Sequence, residues 1–263
     1  MGDEYNALPA AKLIWQAWEK GVSIDLIPKN IRPRTKAQGY QVQYLIAKLS
    51  QAKLLGRKIA ATSLAGQNHI GVEEPLQGLL LDSFFYYEGV NIPNHGLNMR
   101  CAEPEFAFRM GKNLLEKPGK YSIDDVIESV ESMFLAIEFP ETRFKNYVEA
   151  GPAQLIADNG CAGYFVLGSE ITNWRNIELS DVGISGFVDG QLQAKGSGRE
   201  AYGNPLKALT WLVNDAAQRS MPLLEGEIIT TGTCTVPLNI TSGSDVYIKY
   251  DGLGEVSAKV SGG

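Results

Sequence analysis

From residue 57 onward the chain is written in short runs of strand length, and few helices interrupt them. GRKIAATS, PLQGLLLDSFFYY, FLAIEF, GYFVLG, VGISGFVDGQLQAKG, IITTGT and the hairpin pattern DVYIKYDGLGEVSAKV alternate or run apolar, with Gly and Asp at the bends. KALTWLVNDAAQRS reads as a helix. So does SIDDVIESVESMF, residues 122–134, where Ser122 and Asp125 form a capping pair ahead of Val126, Val130, Met133 and Phe134 at helical spacing. Strands this numerous without regular βαβ alternation predict α+β over a doubly wound parallel sheet. Upstream lie an amphipathic segment carrying Leu13, Ile14, Trp15 and Trp18, a Pro-bearing turn at IPKNIRPRT, and a second helical run, AQGYQVQYLIAKLSQAKLLG, closed by Gly56. The expected organisation is a small helical section over residues 1–56 and a β-rich domain over 57–263, long enough to bury a sizeable core.

Apolar residues make up 44% of the chain and charged residues 21%, the balance of a soluble globular protein folded throughout. A formal net charge of −6 argues against nucleic acid as a partner, because phosphate binding needs clustered Lys and Arg that acids do not outweigh. The N-terminus carries early acids and an amphipathic pattern instead of a basic region and an apolar run, so it reads as a docked helix and not a signal peptide. No stretch has the apolar length needed to cross a bilayer, and no membrane partner is expected. Cys101, Cys161 and Cys234 are odd in number and lack metal-ligand spacing, which fits reduced thiols in the cytoplasm.

RCAEPEFAFRM, residues 100–110, places Glu103 and Glu105 one residue apart in a strand pattern whose Phe106 and Phe108 lie in the apolar part. Residues i and i+2 of a strand share a face roughly 6.5–7 Å apart, so two like charges converge. A proton, a basic side chain or a cation has to relieve them, and hard oxygen ligands suit Mg²⁺, Mn²⁺ or Ca²⁺. Glu138 sits in another apolar run, AIEF, as a natural third ligand. On pattern alone the alternative stays open: a solvated strand face, with Glu138 paired to Arg143.

Taken in order, GRKIAATS, GVEEPLQGLLLD, RCAEPEFAF, AIEFPETR, LIADNGCAGYFVLG, GNPLKALTWLVN and IITTGTCTVP resemble the signature segments of the 2-keto-4-pentenoate hydratase family, within the fumarylacetoacetate hydrolase (FAH) superfamily. The resemblance spans essentially the whole chain. It implies an FAH-like mixed β-sheet roll and a homo-oligomeric enzyme that acts on small 2-oxo or 2-hydroxydienoic acids with Mg²⁺ (or Mn²⁺). The family's E-x-E pair falls on Glu103 and Glu105, its third metal-binding glutamate on Glu138, and its lysine on Lys58. Asp158 and Asn159 of ADNG, and Thr233 of TTGTCT, match positions where the family closes its pocket with hydrogen-bonding groups, though Asp158 is equally readable as turn chemistry. Asp82 stands as an acid/base candidate at a position where relatives often carry an acid. Where relatives show GHP this chain has Gly203-Asn204-Pro205. The glycine-rich GSGREAYG lacks the Lys-Ser/Thr ending of a phosphate loop.

The largest departure from the resemblance is AGQNHIGVEEP, residues 65–75, which offers His69 with Glu73 four residues on. On one helix the two share a face, and in the superfamily's hydrolases such a pair activates water. Gly71 between them weakens the helix, and a surface His–Glu pair is the plainer reading. The first functional expectation is hydration of 2-hydroxydienoic or 2-oxo-enoic acids through a metal-stabilised pyruvoyl enolate. The alternative is C–C hydrolysis of acylpyruvates with His69 and Glu73, and decarboxylation of a vinylogous 2-oxo acid would use the same enolate.

Overall fold

A computed structural model of the chain describes residues 5–94 and 98–262, so the acids Asp3 and Glu4 of the N-terminal segment lie outside the described residues. Helix α1, Leu8–Lys20, starts with Pro at its first turn and stops at Gly21 in the left-handed conformation. Helix α2, Lys36–Ser50, is capped by Thr35, whose side chain accepts from the Gln38 amide. The expected stop for α2 was Gly56. The helix instead ends at Ser50 with Gln51 left-handed, and Gly56 lies inside strand β1, Leu54–Ala60. A Cβ on Gly56 would lie 1.8 Å from the Ile228 carbonyl oxygen, so this glycine serves close approach of two strands and not helix termination.

Next come helix α3, Leu64–Ile70, and strand β2, Leu76–Leu81. The run PLQGLLLDSFFYY is broken at the short turn Asp82–Phe84, beyond which stand β3, Phe85–Tyr87, and β4, Asn91–Ile92. Strand β5, Cys101–Met110, carries the acidic pair. The helix expected over 122–134 is only one turn, α4, Ile123–Ile127, with the Ser122/Asp125 capping box formed as predicted. From Val130 to Phe139 the chain is strand β6. Val126, Val130, Met133 and Phe134 fit a helical period, yet pairing of 130–139 with β5 on one side overrides that local pattern. Then follow α5, Pro152–Ala157; β7, Tyr164–Ile171; β8, Gly183–Val188; β9, Gln191–Ser197; and α6, Pro205–Gln218, capped by Asn204 of the GNP triplet. Strands β10, Ile228–Thr230, β11, Leu238–Asn239, β12, Asp245–Tyr250, and β13, Gly254–Val260, complete the described elements.

One sheet runs β2-β1-β10-β5-β6-β7-β3, with β11 also on β5; the other runs β4-β13-β12-β8-β9. The β1–β10, β3–β7 and β4–β13 pairs are parallel and the rest antiparallel, so both sheets are mixed and the architecture is the expected α+β, FAH-like one. The main core joins residues of both sheets with α6: Phe106, Phe108, Ile137, Tyr250, Leu209 and Leu212 are all buried. A second cluster packs α1 and α2 against α5 through Ile14, Trp18, Ile46 and Ile156. Among the described residues no helix is long and apolar enough to cross a membrane.

Gly56→Ala should lower stability by at least about 2 kcal/mol in urea titrations, because backbone cannot yield as a side chain would. Gly71→Ala is the measure of comparison. Gly71 is left-handed but open on all sides, and that substitution should cost only about 1 kcal/mol.

Candidate metal centre and its cavity

Strand pleating puts Glu103 and Glu105 on one face of β5 and Phe106 and Phe108 on the other. The antiparallel register sets Glu103 directly opposite Glu138 of β6. Each of the three glutamates offers a carboxylate oxygen, all within 4.8 Å of one another. One oxygen of Glu105 accepts from the Thr230 hydroxyl and from the Gly232 amide at 2.8 Å, which holds the carboxylate in place; its other oxygen, Oε1, is buried with no partner. Glu138 Oε2 is also buried without a partner. Buried carboxylate oxygens left unpaired are costly, and three convergent hard donors fit one divalent cation such as Mg²⁺ or Mn²⁺.

Lys58 of β1 is 2% exposed, and its Nζ lies 2.9 Å from Glu138 Oε1 and 3.1 Å from the Gly160 carbonyl oxygen. Gly78 on β2 leaves room for the lysine stem, since a Cβ there would meet Lys58 Cγ at 2.8 Å. Burial works against the ammonium, but Glu138 with Glu103 and Glu105 outweighs it and raises the lysine's pKa. Burial, reinforced by Glu138, pushes Glu103 up to about 7. Burial, with Glu138 and Glu103, pushes Glu105 well above the usual carboxylate range, against the Thr230 hydrogen bond. The alternative pairing of Glu138 with Arg143 is absent: Arg143 Nε bonds Asp158 at 2.5 Å instead.

Above this floor opens a cavity of ≈490 Å³. Lys58, Glu103 and Thr233 line it, as does His69. Asp158 and Asn159 do not. Asp158 is fully buried, ion-paired to Arg143 and hydrogen-bonded to Thr142, and Asn159 clamps the backbone of Leu79 through both side-chain atoms. Both are therefore supports of the cavity wall, because the buried guanidinium and the strand amide claim their polar atoms. Asp82 is exposed on the turn after β2, away from the lining. Helix α3 ends at Ile70 with Gly71 left-handed, so Glu73 lies past the helix and shares no helical face with His69. His69 Nε2 instead meets Tyr147 Oη at 3.1 Å.

Several residues of the site carried no signal in the sequence. Tyr147 lies on a three-residue turn, and nothing local marks it as lining. Thr230 and Gly232 hold Glu105 across 125 and 127 residues of chain. Glu141 accepts from the amides of Asn98, Met99 and Thr142, which ties down the segment that brings Met99 to the cavity.

Mixed sheets that bury a three-glutamate cup beside a lysine define an enzyme of the FAH class. Residues 81–261 match the family described as Fumarylacetoacetate (FAA) hydrolase C-terminal. The sequence is 30% identical over 252 residues, 95% of each chain, to 2-keto-4-pentenoate hydratase 1 of Dechloromonas aromatica. It is 29% identical over 257 residues to 4-oxalocrotonate decarboxylase of Pseudomonas putida, covering 97% of this chain and 96% of that one. The fold superposes on a 4-oxalocrotonate decarboxylase from Pseudomonas putida, complexed with magnesium and adipate, with a TM-score of 0.89 at 27% identity over 97% of each chain. A fumarylpyruvate hydrolase from Pseudomonas aeruginosa, at 17% identity, a TM-score of 0.59 and coverage of 79% of this chain and 89% of that one, shares the fold alone. The chain belongs to the FAH superfamily and, within it, to the 2-keto-4-pentenoate hydratase family of hydratase-like lyases.

Replacing Glu103, Glu105 or Glu138 by Gln should each abolish tight Mg²⁺ binding in calorimetry, since the cation then lacks a charged ligand. Unchanged affinity in all three variants would remove the cup from the metal site. Asp158→Asn should leave Mg²⁺ binding measurable but lower stability by about 3–5 kcal/mol, because it strands the buried Arg143 charge.

Proposed function

We propose that the enzyme hydrates 2-hydroxydienoic or 2-oxo-enoic acids, in the breakdown of aromatic compounds, giving 4-hydroxy-2-oxo acids. The observation that carries this reading is the pairing of the glutamate cup and Lys58 at the floor of the cavity with walls that hold no arginine among the described lining residues. A substrate with one carboxylate needs one cationic anchor, and Lys58 at the floor provides it. Arg32 and Arg175 donate to the backbone carbonyls of Ile27 and Val130, outside the lining.

Glu103, Glu105 and Glu138 would hold the cation, which when bound supplies Lewis-acid stabilisation of negative charge on the 2-oxo oxygen. Lys58, fixed by Glu138 and Gly160, presents Nζ to orient the carboxylate and to move a proton at the 2-hydroxyl. Thr233 offers a hydroxyl to the same cavity. The apolar wall, with Ile59, Ile70, Met99 and Pro237, offers a surface for the carbon chain to pack against. The three cysteines are free and buried, in keeping with a cytoplasmic enzyme. Helix α3 ends at Ile70, so Glu73 shares no helical face with His69, which favours hydration over acylpyruvate hydrolysis.

The test is product analysis with Mg²⁺ and three substrates in separate reactions. 2-Hydroxypenta-2,4-dienoate should yield 4-hydroxy-2-oxopentanoate. Release of CO₂ from 2-oxohex-3-enedioate as the faster reaction would make the protein a decarboxylase, and pyruvate from an acylpyruvate would make it a hydrolase. Lys58→Met should lower hydration at least about tenfold, near 1.4 kcal/mol in the barrier, with the fold retained by circular dichroism.

A further inference from the structure

Hydration of a dienoate needs proton chemistry at both ends of the molecule. The floor serves the 2-oxo end. C4 and C5 lie away from it, and the protonation at C5 and the addition of water at C4 need a donor on the cavity wall. Among the described lining residues that exchange protons, Lys58 and Glu103 form the floor. Cys101 lies there too, two residues before Glu103 on the same strand face, and Cys161 follows the carbonyl that Lys58 grips. What remains is His69, Tyr147 and Glu200.

Two of these form a connected unit. Tyr147 Oη and His69 Nε2 are 3.1 Å apart, with their rings edge to face. Tyr147 is half-buried and is the inner member; burial first, then Cys161, Cys101 and Glu103, raises its pKa. His69 is exposed and is the outer member, in reach of solvent protons.

We infer that Tyr147 and His69 form a proton relay acting on the substrate carbons farthest from the 2-oxo group, with Tyr147 touching the substrate and His69 connecting it to solvent. This rests on the hydratase reading. Tyr147 gives its proton to C5, the diene electrons shift to make a C3–C4 double bond conjugated with the 2-oxo group, and His69 reprotonates the phenolate. The 2-hydroxyl proton released at the floor ends on C3 when water adds. The water oxygen bonds to C4 and its proton returns to His69, so the relay ends as it began and one water is consumed.

The test follows wild type, Tyr147→Phe, His69→Gln and Glu200→Gln, each loaded with Mg²⁺, by NMR in D₂O. Two signals are read: deuterium at C5 during hydration of 2-hydroxypenta-2,4-dienoate, and exchange of the C3 protons of 2-oxopentanoate, which needs only the floor. Tyr147→Phe and His69→Gln should each lose about a hundredfold in C5 deuteration and hydration, while C3 exchange stays within about twofold of wild type, as expected for groups that take no part in the chemistry of the floor. Hydration at the wild-type rate in both variants overturns the relay, and so does a parallel fall in C3 exchange, which would mark a structural role. Loss of C5 deuterium only in Glu200→Gln overturns it in favour of that acid. A wild type that exchanges C3 but never deuterates C5 overturns the hydratase reading and the relay together.

Discussion

Three carboxylates beside one ammonium, Glu105 and Glu138 buried and Glu103 half-buried at the cavity, carry two excess negative charges when ionised, and the sheet is arranged to make that tolerable. Lys58 and Glu138 come from strands three places apart in the sheet, yet Lys58 Nζ meets Glu138 Oε1 at 2.9 Å. The order β2-β1-β10-β5-β6 is therefore part of the chemistry: β1 brings the cation, β5 and β6 bring the anions, and β10 between them brings the Thr230 hydroxyl that fixes Glu105. The residual charge of minus two equals that of one divalent cation with its sign reversed. Without such an ion, burial and mutual repulsion push the carboxyls upward, and with it the same oxygens gain the partner they lack.

The cavity walls hang from a second set of buried polar contacts. Arg143 and Asp158 join the segment after β6 to the end of α5, with Thr142 completing the carboxylate's hydrogen bonds. Asn159 then clamps Leu79 of β2, so one short stretch links three elements around the floor. Glu141, pushed up to about 7 by burial despite its amide donors, anchors the segment before β5. None of these groups touches the cavity's contents, yet each holds backbone that does. Removing one partner would leave the other desolvated and unpaired, which is why such supports are as sensitive to substitution as ligands are.

How much of this was legible in the sequence depends on the range of the interaction. The Glu103–Glu105 pair is an i, i+2 pattern, and the strand hypothesis alone places both on one face. The capping box at Ser122 is local and was read correctly, whereas the helix extended beyond it was not, because only pairing with β5 decides that 130–139 is strand. Gly56 and Gly71 show the same division. Gly71 stops a helix through its own backbone conformation, as its position suggested. Gly56 is glycine because of Ile228, a residue 172 positions away that no local pattern announces. Asp158 was equally balanced between pocket and turn, and the contact it makes is with Arg143, a buried partner 15 residues back that neither reading named.

The resemblance reached the floor of the cavity more fully than its mouth. Floor residues sit in long paired strands, where register fixes each side chain and the chemistry of the cup tolerates little change. The mouth is made of short pieces: one two-turn helix, a three-residue turn and the chain after β10. Short elements held by a few side-chain contacts can change residue type without disturbing the sheet, so they leave little pattern for a resemblance to follow. A histidine appears there whose sequence neighbour Glu73 lies beyond the helix that Gly71 ends, and its partner comes from another part of the chain. Tyr147 is that partner because the segment from β6 to α5, tied down by Arg143, Asp158 and Glu141, returns the chain to α3. The ion pairs under the floor thereby also set the position of the group at the mouth.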